Sequence, residues 1–150
     1  MYFLEYFINT CFADRANPKG QGDTKMQQNA YVILMFIYQV GVFVSRSSLI
    51  CFRIRRVDFL TLLQFVNFVI YATIAKMKWL QLEYQFVLML WIGLMGGCSY
   101  VNCFYLLIEN KKLPISQKEV AVNLVTSLVE GNILLASILS VVVDSFILTQ

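Results

Sequence analysis

The stretch YQVGVFVSRSSLICFRIRR, from Tyr38 to Arg56, decides how the rest of the chain is arranged. An apolar segment runs into it from Tyr31, it contains four arginines, and a second apolar segment begins at Val57. An arginine at the centre of a bilayer costs roughly 2.5–3.5 kcal/mol on insertion scales. We therefore expect this stretch to reach the membrane surface and to join two membrane-spanning helices.

The composition is that of an integral membrane protein. Of the 150 residues, 59% are hydrophobic and 14% are charged, whereas about a quarter of the residues are charged in a soluble domain. The net charge of +3 lies in the links, so we interpret it as a determinant of topology and expect no nucleic-acid partner. Histidine is absent, and no catalytic or phosphate-binding motif is present. We expect neither an enzyme, nor a metal site, nor a cofactor.

The apolar runs predict an all-α integral membrane fold with four spans, at about 30–46, 57–75, 84–108 and 119–148. Residues 1–13 are apolar but too short to cross a hydrocarbon core that needs about 20 residues. This segment is either an interfacial helix or the remnant of a spanning helix. Ser116 and Glu119 have the spacing of a capping box, which predicts where the fourth span begins.

The positive-inside rule gives the chain an orientation. The links at 46–56 and 109–118 lie on one side and carry more basic residues than the links on the other side. Cytoplasmic links are enriched in Lys and Arg, so we predict that the first set is cytosolic. The basic residues of that set are Arg46, Arg53, Arg55, Arg56, Lys111, Lys112 and Lys118, against Arg15, Lys19, Lys25, Lys76 and Lys78 on the other side.

Polar side chains recur at helical spacing within the spans. They are Tyr31, Tyr38, Gln39 and Ser45 in the first, Thr61, Gln64, Asn67 and Tyr71 in the second, and Asn123, Glu130, Ser137 and Asp144 in the fourth. Lipid cannot satisfy such groups, so we expect them to face other helices or water. For the neutral residues we favour hydrogen bonds between helices. For Glu130 we favour a solvated cavity, because a carboxylate deep in a span is a functional-site hypothesis by default.

The third span contains a patch of small residues, with Gly93 and Gly97 in a GxxxG pattern and Gly96 between them. Small residues let helix backbones approach closely, so this patch predicts helix packing. A flexing point in a moving helix is the alternative.

Four segments of the chain resemble the battenin family. They are Tyr38-Gln39-x-Gly41-Val42-Phe43-x-Ser45-Arg46-Ser47-Ser48-Leu49, Glu5-Tyr6-Phe7-Ile8-Asn9, Arg53-Ile54-Arg55, and Gly96-Gly97-x-x-Tyr100-Val101-Asn102-x-Phe104. Their order and separations also fit, and the resemblance covers nearly the whole chain. It corresponds to the C-terminal part of that family.

The resemblance implies a multi-pass protein of lysosomal, vacuolar or late endosomal membranes with a major-facilitator-like helical bundle. Residues 1–13 then form the end of its seventh helix, and the N-terminal helices of the full fold are an expected partner. The implied function is transport of small polar metabolites, either basic amino acids or glycerophosphodiesters, together with pH homeostasis of the organelle. Our candidates for the substrate or proton pathway are Glu5, Tyr38, Gln39, Asn102 and Glu130.

A non-transporting membrane scaffold is the competing function. Its candidate surface is the basic link that contains Arg46, Arg53, Arg55 and Arg56, which also suits anionic membrane lipids at about 1 kcal/mol per basic residue. Substrate-dependent flux supports the first function, and salt-sensitive capture of a partner by the link supports the second.

Overall fold

The computed structural model describes residues 1–17, 25–47, 56–110 and 114–146, and every regular element within these ranges is a helix. In chain order the elements are α1 (Tyr2–Phe7), a π-helical turn (Ile8–Phe12), α2 (Ala13–Ala16), α3 (Lys25–Gln28), α4 (Ala30–Ser47), α5 (Val57–Met77), α6 (Leu82–Glu109) and α7 (Ile115–Phe146). Among the described residues, α4 to α7 are the helices long and apolar enough to cross a membrane. The all-α membrane fold predicted from the sequence is confirmed.

The four long helices differ in length. At a rise of 1.5 Å per residue, the 18 and 21 residues of α4 and α5 span about 27 and 32 Å. The 28 and 32 residues of α6 and α7 span about 42 and 48 Å, more than the roughly 30 Å of a hydrocarbon core. Tilting or extension beyond the headgroups accommodates the longer pair.

The start of α7 lies earlier than the capping-box pattern indicated. The Pro114 carbonyl accepts hydrogen bonds from the backbone N–H groups of Gln117 (3.0 Å) and Lys118 (3.2 Å). Proline suits this position because it has no N–H group to leave unpaired at a helix start. Ser116 and Glu119 therefore lie within the first two turns of α7, so Ser116 does not act as its N-cap.

The N-terminal helical segment occupies the centre of the bundle. The backbone stays right-handed helical where α1, the π-helical turn and α2 join, and the segment contacts α5, α6 and α7. The Phe68 ring of α5 lies 5.7 Å from the Phe7 ring and 5.2 Å from the Phe12 ring, and Ile8 is fully buried. Such burial does not suit an interfacial helix, which keeps a polar face among the headgroups.

The closest helix pair is α4 with α6, and glycines from both helices line the contact. A Cβ atom on Gly41 would lie 2.6 Å from the Leu90 carbonyl oxygen, and one on Gly97 would lie 2.7 Å from the Val42 carbonyl oxygen. A Cβ on Gly93 would overlap the Tyr38 carbonyl group. Backbone therefore meets backbone along this contact, which only residues without a side chain allow.

Several polar side chains in the spans are satisfied without another helix or water. The hydroxyls of Thr61, Thr126, Ser127 and Ser137 each donate to the backbone carbonyl four residues earlier in the same helix. The expectation that all polar groups in the spans need another helix or water was therefore wrong for these hydroxyls. Their short side chains reach back to the preceding turn.

Candidate functional site: a buried carboxyl in the helical bundle

Glu5 of α1 is the buried carboxyl of the described bundle, with 1% of its surface exposed. Its Oε1 atom accepts a hydrogen bond of 2.7 Å from the Tyr38 hydroxyl on α4. Its Oε2 atom has no hydrogen-bond partner among the described residues. A buried carboxyl with a hydrogen bond to only one of its oxygens is energetically costly. A proton, an ion or a water molecule at Oε2 would reduce that cost.

Gly96 provides the space for this carboxyl. A Cβ atom on Gly96 would overlap both carboxyl oxygens of Glu5, whereas the neighbouring Gly97 faces α4. The two adjacent glycines of α6 therefore accommodate different neighbours. The sequence predicted helix packing for all three glycines of the patch, and the structure gives Gly96 the separate task of accommodating the Glu5 side chain.

Asn9 is a second buried polar group at the same place. It follows Glu5 by one turn, is 5% exposed, and its amide lies beside the Tyr38 hydroxyl. The single hydroxyl proton of Tyr38 goes to Glu5, so the amide nitrogen is the atom of Asn9 that suits the tyrosine oxygen. The Asn9 Oδ1 atom is left without a hydrogen-bond partner among the described residues.

Arg46 lies near the site, at the predicted cytosolic end of α4. Its guanidinium carbon lies 4.4 Å from the centre of the Tyr100 ring of α6, a cation–π contact. Its charge acts through space on Glu5 and on Tyr2, whose buried hydroxyl also lacks a partner in the described chain. We expected Arg46 to reach towards the headgroups; it is exposed and also contacts α6 through its guanidinium.

The other candidates lie apart from this carboxyl. Asn102 of α6 is 1% exposed and donates from Nδ2 to the Cys98 carbonyl oxygen at 2.8 Å. Gln39 of α4 is exposed, on a different face from its neighbour Tyr38. The structure therefore brings together Glu5 and Tyr38 of the five candidates.

Glu130 is exposed on α7 in the described chain, and its charge acts on Tyr6 of α1. The sequence pattern places it on one helix face with Asn123 and Ser137. Asn123 is also exposed, and the Ser137 hydroxyl donates to Ile133 of its own helix. The side chain of Asp144, from the same predicted stripe, lies outside what the structure describes.

Sequence reasoning missed Asn9, Tyr2 and Tyr100 as parts of the site. Asn9 was within reach, because it follows Glu5 by four residues and both lie in the EYFIN segment that carries the family resemblance. Tyr100 also lies in such a segment, but nothing in the sequence places its ring beneath Arg46. That contact joins residues 54 positions apart on two helices.

Arg53 and Arg55 of the basic link lie outside the described residues, and Arg56 is exposed immediately before α5. Replacing Arg53, Arg55 and Arg56 together by Gln is expected to weaken or scramble the membrane orientation, because these three exceed the difference of two basic residues on which the predicted orientation rests. Glycosylation tags in the links at 14–29 and 46–56 report the side directly.

A matched control neutralises Lys76 and Lys78 on the opposite side, which should leave the orientation unchanged or strengthen it. Unchanged tag labelling in the triple arginine variant would show that other helices or the remaining charges fix the topology.

The described geometry defines the class of the molecule: an all-α, multi-pass membrane protein with a buried carboxyl among its helices. The family model described as "CLN3 protein" matches residues 1–150. The chain belongs to this family, whose curated members include battenins and BTN1 proteins. No solved structure matches the chain significantly.

Relatives align along most of the chain. Battenin of Dictyostelium discoideum is 38% identical over 146 residues, which are 96% of this chain and 35% of that protein. Protein btn1 of Schizosaccharomyces pombe is 32% identical over 147 residues, covering 96% of this chain and 36% of the relative. Battenin of Canis lupus familiaris is 40% identical over 106 residues, covering 70% and 24%. The chain therefore spans about a third of the length of the first two relatives.

Proposed function

We propose that this chain is the C-terminal part of a lysosomal, vacuolar or late endosomal transporter of small polar metabolites with a major-facilitator-like bundle. The family resemblance favours basic amino acids or glycerophosphodiesters as substrates and a role in organelle pH homeostasis. The proposed partners are N-terminal helices, for which the longer relatives have enough additional residues. We call the chain together with those helices the full-length protein.

The observation that carries this proposal is the position of Glu130. It lies 15 residues from the start and 16 from the end of α7, so it is near the middle of a spanning helix, and it is exposed. A carboxylate cannot face lipid at that depth without a large cost. A water-filled path between two helical bundles gives it a suitable environment, as in transporters that bind substrate near the bilayer midplane.

The polar side chains divide into two groups under this proposal. Gln39 and Glu130 are exposed and suit contact with a substrate, and the carboxylate of Glu130 favours a substrate with a cationic group. Glu5, Tyr38 and Asn102 are buried among the helices, so a substrate reaches them only if the helices separate.

Glu130→Gln is expected to lower flux by at least tenfold, with little effect on stability. The amide keeps the shape of the side chain but removes the charge, and an exposed position tolerates that change. The measurement is uptake of a labelled basic amino acid or glycerophosphodiester by vesicles that hold the full-length protein. Thermal unfolding in detergent measures stability.

Glu119→Gln is the matched control, since Glu119 is an exposed carboxylate on the same helix but only four residues from its start. It should leave flux unchanged. Flux in Glu130→Gln equal to that of the unmodified protein would remove Glu130 from the mechanism and leave packing against N-terminal helices as its role. Absence of substrate-dependent flux from the unmodified full-length protein would overturn the proposed function itself.

A further inference from the structure

The two orphaned atoms of the site, Glu5 Oε2 and Asn9 Oδ1, are both hydrogen-bond acceptors. They belong to residues one turn apart on α1, and both side chains converge on the Tyr38 hydroxyl. Each buried acceptor without a donor carries a desolvation cost, and a donor on either residue that reached the other would remove both costs. The arrangement is therefore one hydrogen atom short of being satisfied.

A single proton on Glu5 corrects both defects. A protonated carboxyl is a donor at one oxygen and an acceptor at the other, so Oε2–H donates to Asn9 Oδ1 while Oε1 still accepts from Tyr38. The proton comes from water and returns to water, and no other reactant is needed. We propose that Glu5 binds a proton when α1, α4 and α6 are packed together, shares it with Asn9, and thereby forms the proton-coupling site of the transport cycle.

The π-helical turn at Ile8–Phe12 lies where such a site would need adjustable backbone. Asn9 is inside this turn, and Glu5 lies on α1 three residues before the turn begins. π-helical turns are rare and frequently occur at functional sites, because the extra residue shifts the register of the side chains that follow. A change in this turn would alter the position of Asn9 relative to Glu5 without breaking the helix.

The charged and titratable groups near Glu5 lie on α1 itself and on α4, α6 and α7. On α4 they are Tyr38 and Arg46, and the cation favours release of the proton. Tyr2, Tyr6 and the N-terminal amino group lie on or beside α1 itself. The Tyr100 ring of α6 contacts the Tyr2 ring edge to face, and the charge of Glu130 on α7 acts on Tyr6. On α5, the buried side chains Gln64 and Asn67 are neutral. Burial and the Asn9 contact favour the protonated carboxyl of Glu5, whereas Arg46 favours the ionised form. These opposing effects make the site suited to binding and releasing a proton.

The first test measures the proton itself, without substrate. Infrared difference spectra of the full-length protein, titrated with acid and base, should contain the carbonyl stretch of a protonated carboxylic acid. Glu5→Gln should remove that signal, and the control Glu119→Gln should keep it. Absence of the signal from the unmodified protein, or its survival in Glu5→Gln, would overturn the proposal.

Two further variants should shift the titration midpoint of this signal in opposite directions, by roughly one pH unit or more. Asn9→Leu removes the acceptor for the protonated form, so the midpoint should fall. Tyr38→Phe removes a donor to the carboxylate, so the midpoint should rise. Shifts in the same direction would show that Tyr38 and Asn9 do not act as donor and acceptor to separate oxygens of the carboxyl, as proposed.

Glu5→Gln gives an answer even if the other variants fail to fold. Its amide imitates the protonated carboxyl, because the oxygen accepts from Tyr38 and the nitrogen donates to Asn9. The variant should match the unmodified protein in thermal stability at low pH and exceed it as the pH rises through the titration of Glu5. Lower stability of Glu5→Gln at every pH, or stability of the unmodified protein that depends on sodium rather than on pH, would indicate an ionised Glu5 with bound water or a metal cation.

The coupling role rests on the proposed transport function, and flux assays separate the two. Exchange of labelled for unlabelled substrate across vesicles needs no gradient and tests transport alone. In Glu5→Gln, exchange should persist while uptake driven by a proton gradient is lost. If net uptake by the unmodified protein did not respond to a proton gradient while exchange persisted, the coupling site would be overturned and the transport function would remain intact.

Discussion

Gly97→Leu should destabilise the helical bundle by at least the upper end of the about 1–3 kcal/mol that overpacking costs. The new side chain would enter the contact between α4 and α6. Its Cβ atom alone would lie 2.7 Å from the Val42 carbonyl oxygen and overlap the Ser45 hydroxyl. Backbone atoms on the facing helix cannot rotate away as a flexible side chain does. The thermal midpoint of unfolding in detergent, followed by circular dichroism, measures the effect.

Gly131→Leu on α7 is the matched control, because a Cβ atom built there would have no described atom within 4 Å apart from its chain neighbours and the backbone of its own helix. It makes the same chemical change in a spanning helix and should leave the midpoint unchanged or raise it slightly, since leucine is a better helix former than glycine. Val101→Leu, at a half-buried position one turn beyond Gly97, should also have a small effect. Equal midpoints for Gly97→Leu and Val101→Leu would mean that Gly97 faces lipid and that the α4–α6 contact is wrong.

The 150-residue chain reconstituted by itself should give no substrate flux, whereas the full-length protein should transport. Alternating access rocks one helical bundle against another around a site at their interface. The chain provides the helices on one side of such an interface, including the exposed Gln39 and Glu130. The measurement is uptake of labelled substrate by vesicles that hold equal amounts of either protein.

Insertion of the chain must be verified in the same vesicles, because an uninserted chain also gives no flux. The four spans are apolar enough to insert, so we expect protease protection of the spans and a single orientation. Substrate flux from the inserted chain at the level of the full-length protein, without assembly into a larger oligomer, would contradict the prediction.

The sequence by itself determined the class of the fold and the approximate position of each span. Length and hydrophobicity are local properties, and a run of apolar residues bounded by Arg or Lys identifies a spanning helix whatever its neighbours are. α4, for example, was predicted at 30–46 and extends over Ala30–Ser47. The pattern was less reliable at the start of α7, because the capping box indicated Ser116 as the N-cap, whereas the helix begins two residues earlier, directly after Pro114.

The sequence also identified Glu5 and Tyr38 as candidates, but only as separate members of a longer set. The helical spacing groups Tyr38 with Tyr31 and Ser45 and sets Gln39 on another face, but it does not say which of these faces is buried against Glu5 and which is exposed. The same pattern placed Glu130 and Ser137 on one face of the helix, but the Ser137 hydroxyl donates to the Ile133 carbonyl of its own helix. Helical spacing states which residues share a face, but not which neighbour that face meets.

Only the tertiary structure decided which groups form the site. Tyr38 lies 33 residues from Glu5 along the chain, and Gly96 lies on a third helix. Their meeting depends on how closely α4, α6 and α1 approach, and that distance is set by glycines that meet backbone atoms of the opposite helix. Burial of the Glu5 carboxyl follows from this packing, as does the pair of acceptors that lacks a donor. A hydrogen bond left unmade in the interior is a property of the assembled helices, and no single segment of the sequence contains it.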